Sequence, residues 1–172
     1  MKAIHLTRGL VTLVDNQDFA RFGHLKWYAQ KSLNSFYAVR RTTKECILLH
    51  RLILDASGNA KVDHRNGVGL DNRRSNLRLA SQSQNDANSW NKSNASGLKG
   101  VIAVPRNKKN PWRAEIKHHR KRYHLGYFAT AEEAEAAHKK KAIEIYGEFA
   151  RFQREPLDPV LRFLQGAGPS GV

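Results

Sequence analysis

Residues 50–88 read HRLILDASGNAKVDHRNGVGLDNRRSNLRLASQSQNDAN, and the reading of this stretch decides the fold. LHRLIL, starting at Leu49, reads as a short amphipathic helix. VDHRNG, from Val62, reads as a strand running into a tight Asn-Gly turn. SNLRLASQSQNDAN reads as a polar helix, with Ser75 as a candidate cap. The expected order is strand, turn region, helix. Asp63 and His64 stand on the strand; Asn76 and Asn85 follow.

These residue types fit the cutting of a phosphodiester. A water must lose a proton near neutral pH, and histidine is the side chain suited to take it. Charge builds on the phosphate oxygens, where a divalent cation stabilises it. Hard cations prefer oxygen ligands, which Asp63 and an asparagine carbonyl can supply. The imidazole must also keep one tautomer, and a carbonyl from Asn76 accepting from its other nitrogen would fix it. Neighbours on a strand point to opposite faces, so Asp63 and His64 need a bend to act together. The Asn-Gly turn after His64 is where that bend is expected. Taken singly, an Asp-His pair, an Asn-Gly turn and a helical asparagine each have ordinary structural readings. HRL, VDHRNG, DNRRSNLR and QSQN in one order within about forty residues say more than their parts.

The stretch resembles the HNH endonucleases of ββα-metal fold, closest to the phage and intron homing type. That resemblance implies Asp63 as a metal ligand, His64 as general base, Asn76 as the residue that positions it, and Asn85 as a second metal ligand. His50, in the HRL element, is implied as structural or phosphate-contacting. The implied cofactor is Mg²⁺ or Mn²⁺. Paired cysteines of the zinc-stabilised branch are missing, so no structural zinc is expected.

Upstream, AIHL, LVTLV, KWYAQ, FYAVR and CILL are strand candidates, and DFARFG a short helix. Trp27, Tyr28, Phe36 and Tyr37 are read as core rather than stacking platforms. Downstream, residues 87–97 are rich in Asn and Ser and mark a linker, in which Trp90 is a candidate anchor. From residue 97, KGVIAV, PWRAEIKH and KRYHLGYF read as three strands. A helix follows, with Thr130 and Glu133 as a capping box and Gly147 as its end. Alternation places Trp112, Ala114 and Ile116 on one sheet face, and Arg113, Glu115 and Lys117 on the other. Tyr123 and Leu125 oppose Arg122 and His124 in the same way. The cationic face fits the major groove of duplex DNA, where Arg reads guanine and Glu115 could accept from cytosine.

GV…WRAEI, LGYF and TAEEAEAAH in residues 97–152 resemble the DNA-binding domain of plant ethylene-responsive transcription factors, which also occurs fused to phage HNH nucleases. The resemblance implies groove-facing roles for Glu115, Lys117, Arg122 and His124, joined by Arg113 on the same face. Ile102 and Val104 stand where the plant domains carry arginines. Arg106, Lys108 and Lys109 in the next loop could replace these, so the plant target sequence does not carry over.

The chain has 172 residues, 30 Lys plus Arg and 15 Asp plus Glu, for a net charge of +15. Residues 1–86 and 97–153 each contribute +7, which suits two nucleic-acid-binding modules better than one basic arm. Cys46 is the single cysteine, so no internal disulfide can form. No apolar run approaches the ~20 residues that span a bilayer, and no signal-peptide apolar region is seen. A soluble, cytoplasmic protein of a prokaryote or a phage-infected host cell is expected.

The reading is therefore an α+β chain: a β-rich segment (1–49), a ββα-metal HNH module (50–88), a linker (89–97), a small three-stranded antiparallel sheet packed on one helix (98–152), and a partly disordered tail (153–172). The expected function is metal-dependent cleavage, by nicking, of double-stranded DNA, as monomer or dimer. A DNA-binding regulator with a degenerate HNH fold is the alternative. A basic RNA-binding protein is weaker, because no RNP-type aromatic pattern is present.

Overall fold

The computed structural model describes residues 1–32, 35–43, 45–89, 96–119, 121–152 and 160. It contains mixed helix and strand in two compact units, which divide between Ser81 and Gln82. Trp90 and most of the linker and tail lie outside the described residues.

In the first unit, β1 (Lys2–His5) and β2 (Val11–Val14) form an antiparallel hairpin followed by helix α1 (Asn16–Phe22). Strands β3 (Tyr28–Lys31), β4 (Phe36–Arg41) and β5 (Cys46–Leu48) form a second antiparallel sheet. Helix α2 (Leu49–Ile53) follows directly, and β6 (Lys61–His64) pairs with β7 (Leu77–Ala80).

Strand β7 corrects the long helix expected from Ser75. Ser75 lies in a 3-10 turn (Arg74–Asn76), and only Gln82–Asn88 is helical, as α3. The reason is pairing. Leu77 sits opposite His64 and enters the core, and Arg78 sits opposite Asp63 as its ion partner. These gains are non-local, and they outweigh the weak helical preference of a short polar segment.

One apolar core serves the N-terminal strands and residues 49–77 together. Ile4, Val11, Leu13, Trp27, Leu49, Ile53, Leu70 and Leu77 are all buried in it, and Val160 joins them. At ~1.5–3 kcal/mol for each fully buried large aliphatic or aromatic side chain, this shared core is what makes residues 1–81 one body. The β-rich segment is thus part of the scaffold that carries residues 50–81. Trp27, read as core, is 2% exposed.

The second unit contains α3 and the expected sheet. Strands β8 (Val101–Ala103), β9 (Trp112–His118) and β10 (Lys121–Phe128) are antiparallel, with β9 central. Helix α4 (Ala131–Tyr146) carries the capping box: the Thr130 hydroxyl accepts from the Glu133 N–H, and the Glu133 carboxylate accepts from the Thr130 N–H. Ala134, His138, Ala142 and Tyr146 are buried along one stripe of α4, each four residues after the last. The helix comes so close to the sheet that Gly100 has no room for a side chain. A Cβ there would lie 2.1 Å from the His138 ring, and φ is +73°.

Candidate active site

Three aromatic rings of the first unit meet at the end of β6. The His50 and His64 ring centres are 5.1 Å apart, and Tyr37 lies 5.6 Å from His50 and 5.9 Å from His64. The backbone folds tightly over this group: a Cβ on Gly69 would fall 2.6 Å from the Tyr37 ring. His50 comes from α2, whose HRL element also explains its arginine. The Arg51 guanidinium donates to the carbonyls of Ala56, Gly58 and Ala60, and so holds the loop leading into β6.

His64 is 6% exposed, and burial lowers its pKa from the ordinary histidine value; the Asn72 hydrogen bond and the charges of Asp63 and Asp71 oppose that shift. His50 is lowered further, to about 3, by burial first and then by His64 and Arg51. Both rings are therefore neutral at pH 7. His50 Nδ1 is buried with no hydrogen-bond partner among the described residues. The Tyr37 hydroxyl is pushed up by burial and by Asp63, and stays protonated.

The imidazole partner differs from expectation. Asn72 Oδ1, not Asn76, lies 3.0 Å from His64 Nε2. Asn76 holds the turn itself: its Oδ1 accepts from the Asn66 N–H at 3.0 Å, and its Nδ2 donates to the Asp71 carbonyl at 2.7 Å. Behind Asn72 stands Thr12 of β2. Asn72 Nδ2 donates to Thr12 Oγ1 at 2.7 Å, and Thr12 Oγ1 donates to the Leu70 carbonyl at 2.8 Å. Strand β2 reaches this loop because Leu13 bridges to Asp71 in parallel register. Two further ion pairs fix the loop: Arg73 on Asp71, and Arg74 on the buried Asp18 of α1.

Asp63 and Arg78 form an almost fully buried pair at 2.8 Å. Asn85 lies on α3, in the second unit, whereas Asp63, His64, Asn76 and His50 all lie in the first. Among the described residues, no group of three His, Cys, Asp or Glu gathers in metal-binding geometry.

Sequence reasoning missed Thr12, Asn72 and Arg78. A lone threonine in the apolar run VTLV was the visible signal for the first, because a polar group in a core strand needs a partner.

In the second unit, Arg113, Glu115, Lys117, Arg122 and His124 do share one sheet face, as their register requires. Glu115 is engaged from both sides, by Arg113 at 3.1 Å and Arg122 at 3.5 Å. A bulge between His124 and Gly126 shifts the alternation and brings Tyr127 onto this face, opposite Arg113. Tyr127 is 44% exposed, and its ring lies 4.8 Å from that of His124. Ile102 sits opposite Arg113 on the same face, and Arg106 is exposed in the turn beyond β8.

Residues 48–87 match the HNH endonuclease family. The HNH segment so defined holds His50, Asp63, His64, Asn72, Asn76 and Asn85, while Thr12 lies outside it. The chain is also similar to an uncharacterized HNH endonuclease of Acanthamoeba polyphaga mimivirus, 34% identical over 131 residues. That similarity covers 73% of this chain and 65% of the relative, so the chain spans a little under two thirds of the relative's length. No solved structure matches the chain. No described helix is long and apolar enough to cross a membrane.

Proposed function

We propose that this protein is an HNH endonuclease that hydrolyses, by nicking, a phosphodiester of double-stranded DNA, with His64 as the general base. The observation that carries the reading is a buried imidazole, kept neutral and held at Nε2 by Asn72, beside a carboxylate, inside a segment matching HNH endonucleases. A neutral histidine can accept the proton of an attacking water; an imidazolium cannot. Tyr37 and His50 shield the ring from bulk water, which strengthens each polar contact it makes.

The donor chemistry suits a hard divalent cation. Mg²⁺ commonly binds one or two carboxylates, keeping water and substrate phosphate in its other positions, and Asp63 offers such a carboxylate. Mn²⁺ takes the same oxygen ligands. When bound, the cation would supply charge stabilisation for the phosphate and leaving oxygens. Asn85 as a second ligand rests on the resemblance alone. Arg78 fixes the orientation of Asp63, so that the carboxylate arrives preset.

The second unit is proposed to bind duplex DNA through the outer face of its sheet, in the manner of the ethylene-responsive-factor domain it resembles. Arg113, Lys117, Arg122 and His124 supply donors there, with Arg106 from the loop. Glu115 holds Arg113 and Arg122 in place and in doing so limits its own capacity to accept from a base.

The test is relaxation of supercoiled plasmid at low salt, with Mg²⁺, Mn²⁺ or EDTA, for wild type, His64→Ala and Asp63→Asn, with DNA binding checked for each. Metal-dependent nicking lost in both variants while binding persists supports the reading. Undiminished cleavage by His64→Ala removes His64 as the base. The regulator alternative draws on the Asp63–Arg78 pair, which already neutralises the carboxylate. It predicts tight binding without cleavage, on random plasmid and on a selected site alike.

A further inference from the structure

We propose that Thr12 and Asn72 are positioning residues that hold His64 as the tautomer protonated on Nε2, so that strand β2, outside the HNH segment, completes the catalytic site. This rests on His64 acting as general base. The argument is one of hydrogen-bond polarity, and it runs backwards from a group with no choice.

The Leu70 carbonyl has no hydrogen, so Thr12 Oγ1, 2.8 Å away, must donate to it. A hydroxyl has one hydrogen, so Thr12 can only accept from its other partner, Asn72, at 2.7 Å. Asn72 therefore turns its NH₂ toward Thr12 and its Oδ1 toward His64 Nε2, at 3.0 Å. An amide oxygen only accepts, so Nε2 carries the proton. In a neutral ring the lone pair is then on Nδ1. The reversed amide would set Oδ1 against a Thr12 hydroxyl whose single hydrogen is already committed. Thr12 and Asn72 are each 0% exposed, so no solvent water competes for either. The polarity runs His64 to Asn72 to Thr12 to the Leu70 carbonyl without a gap. Leu13 N–H donates to the same carbonyl and pins it in place.

A merely structural role for Thr12 would require a filled space and a satisfied amide. A positioning role also requires that the identity of the protonated ring nitrogen depend on the hydroxyl. The experiment measures that directly. The full chain is ¹⁵N-labelled, and long-range ¹H–¹⁵N correlations of the imidazoles are recorded at about pH 8, where ordinary histidines are neutral. His64→Gln identifies the His64 signals by their loss.

Wild type is expected to show His64 protonated on Nε2. Thr12→Val keeps the shape, removes the hydroxyl and frees the Asn72 amide to turn. It is expected to populate the Nδ1-protonated form and to lower kcat for plasmid nicking about 10–100-fold, with DNA affinity unchanged. Thr12→Ser is expected to restore both the tautomer and the rate. A wild-type ring protonated on Nδ1 overturns the proposal before any variant is made. So does a folded Thr12→Val protein that keeps the Nε2 form. If wild type shows the Nε2 form but cleaves no DNA with any metal, the nuclease reading falls, and the catalytic purpose of the relay falls with it.

Discussion

Asp63 and Arg78 face each other directly across the β6–β7 ladder and join at 2.8 Å with both side chains buried. Each charge is tolerable inside the protein only because of the other. Removing one partner of such a pair typically costs about 3–5 kcal/mol, because the survivor stays charged and buried. Arg78→Ala is therefore expected to destabilise the first unit by that order, measured by urea denaturation. Asp63→Ala would suffer similarly, and its loss of activity would say little about chemistry. Asp63→Asn keeps shape and one hydrogen bond to Arg78 but not the charge, so it is expected to cost less stability than Asp63→Ala while losing the proposed metal-dependent cleavage. A fully stable Arg78→Ala protein would show that the pair does not hold the strands.

The buried histidines predict an acid limb in the stability curve. Burial, helped by neighbouring positive charge, brings His50 to about 3 and His138 to about 4, against 6.5 for the ordinary side chain. Below about pH 6.5 the unfolded chain takes up protons at these positions that the folded chain refuses. The unfolded state then binds more protons, so stability falls as pH falls. The loss is expected to begin near the ordinary histidine value and to continue until the native groups protonate, near 4 for His138 and near 3 for His50. Urea midpoints taken from about pH 8 to pH 4 would follow it. His50→Gln is expected to flatten the limb for the first unit, and His138→Gln for the second. Unchanged midpoints across that range would mean that the two rings are not shielded as described.

Much of this was legible before the fold was known, and the remainder was not for a definite reason. Strands β3, β4, β9 and β10 follow from alternation and turn residues, and the start of α4 from its capping box, because those signals are local. The failures are non-local. Leu77 and Arg78 read as helix until β6 is present to pair with them. Asn72 and Thr12 are 60 residues apart, and no spacing rule connects them. Tyr127 was assigned to no face because strict alternation cannot foresee the bulge that redirects it. The shared core of the N-terminal strands and the HNH segment was equally hidden, since it exists only through Leu13, Trp27, Leu49 and Leu70 meeting in space.

Gly100 gives a test of the second unit by itself. Its backbone is left-handed at φ +73°, and any Cβ would overlap the His138 ring. Gly100→Ala thus combines two penalties, strain in the backbone and a displaced helix. Hydrogen exchange is expected to show loss of protection in β8 to β10 and α4, with β1 to β7 unaffected. The DNA binding proposed for the sheet should weaken in parallel. Uniform loss of protection over the whole chain would mean instead that the two units unfold as one.

The DNA contact proposed for the cationic sheet face makes a prediction in which salt separates two kinds of residue. A side chain that contacts phosphate contributes to the slope of log affinity against log salt, about 0.9 per neutralised phosphate on duplex DNA. A side chain that reads a base edge changes sequence preference more than slope. Arg113 and, more loosely, Arg122 are paired with Glu115, which orients their guanidinium groups on the proposed base-reading face. Glu115→Gln releases both, and is expected to broaden the bound sequences while leaving the slope nearly unchanged. Lys117 stands opposite Arg122 with no such brace in its register, and Lys117→Ala is expected to lower the slope by about 0.9 with sequence preference retained. Tyr127 adds an exposed ring beside His124, suited to an apolar contact such as a thymine methyl, and Tyr127→Ala is expected to erase preference at one position only. Binding titrations at four salt concentrations, paired with selection of bound sequences, measure both quantities. If Glu115→Gln lowers the slope and Lys117→Ala alters the preference, the two roles are reversed and the assignment of the face is wrong.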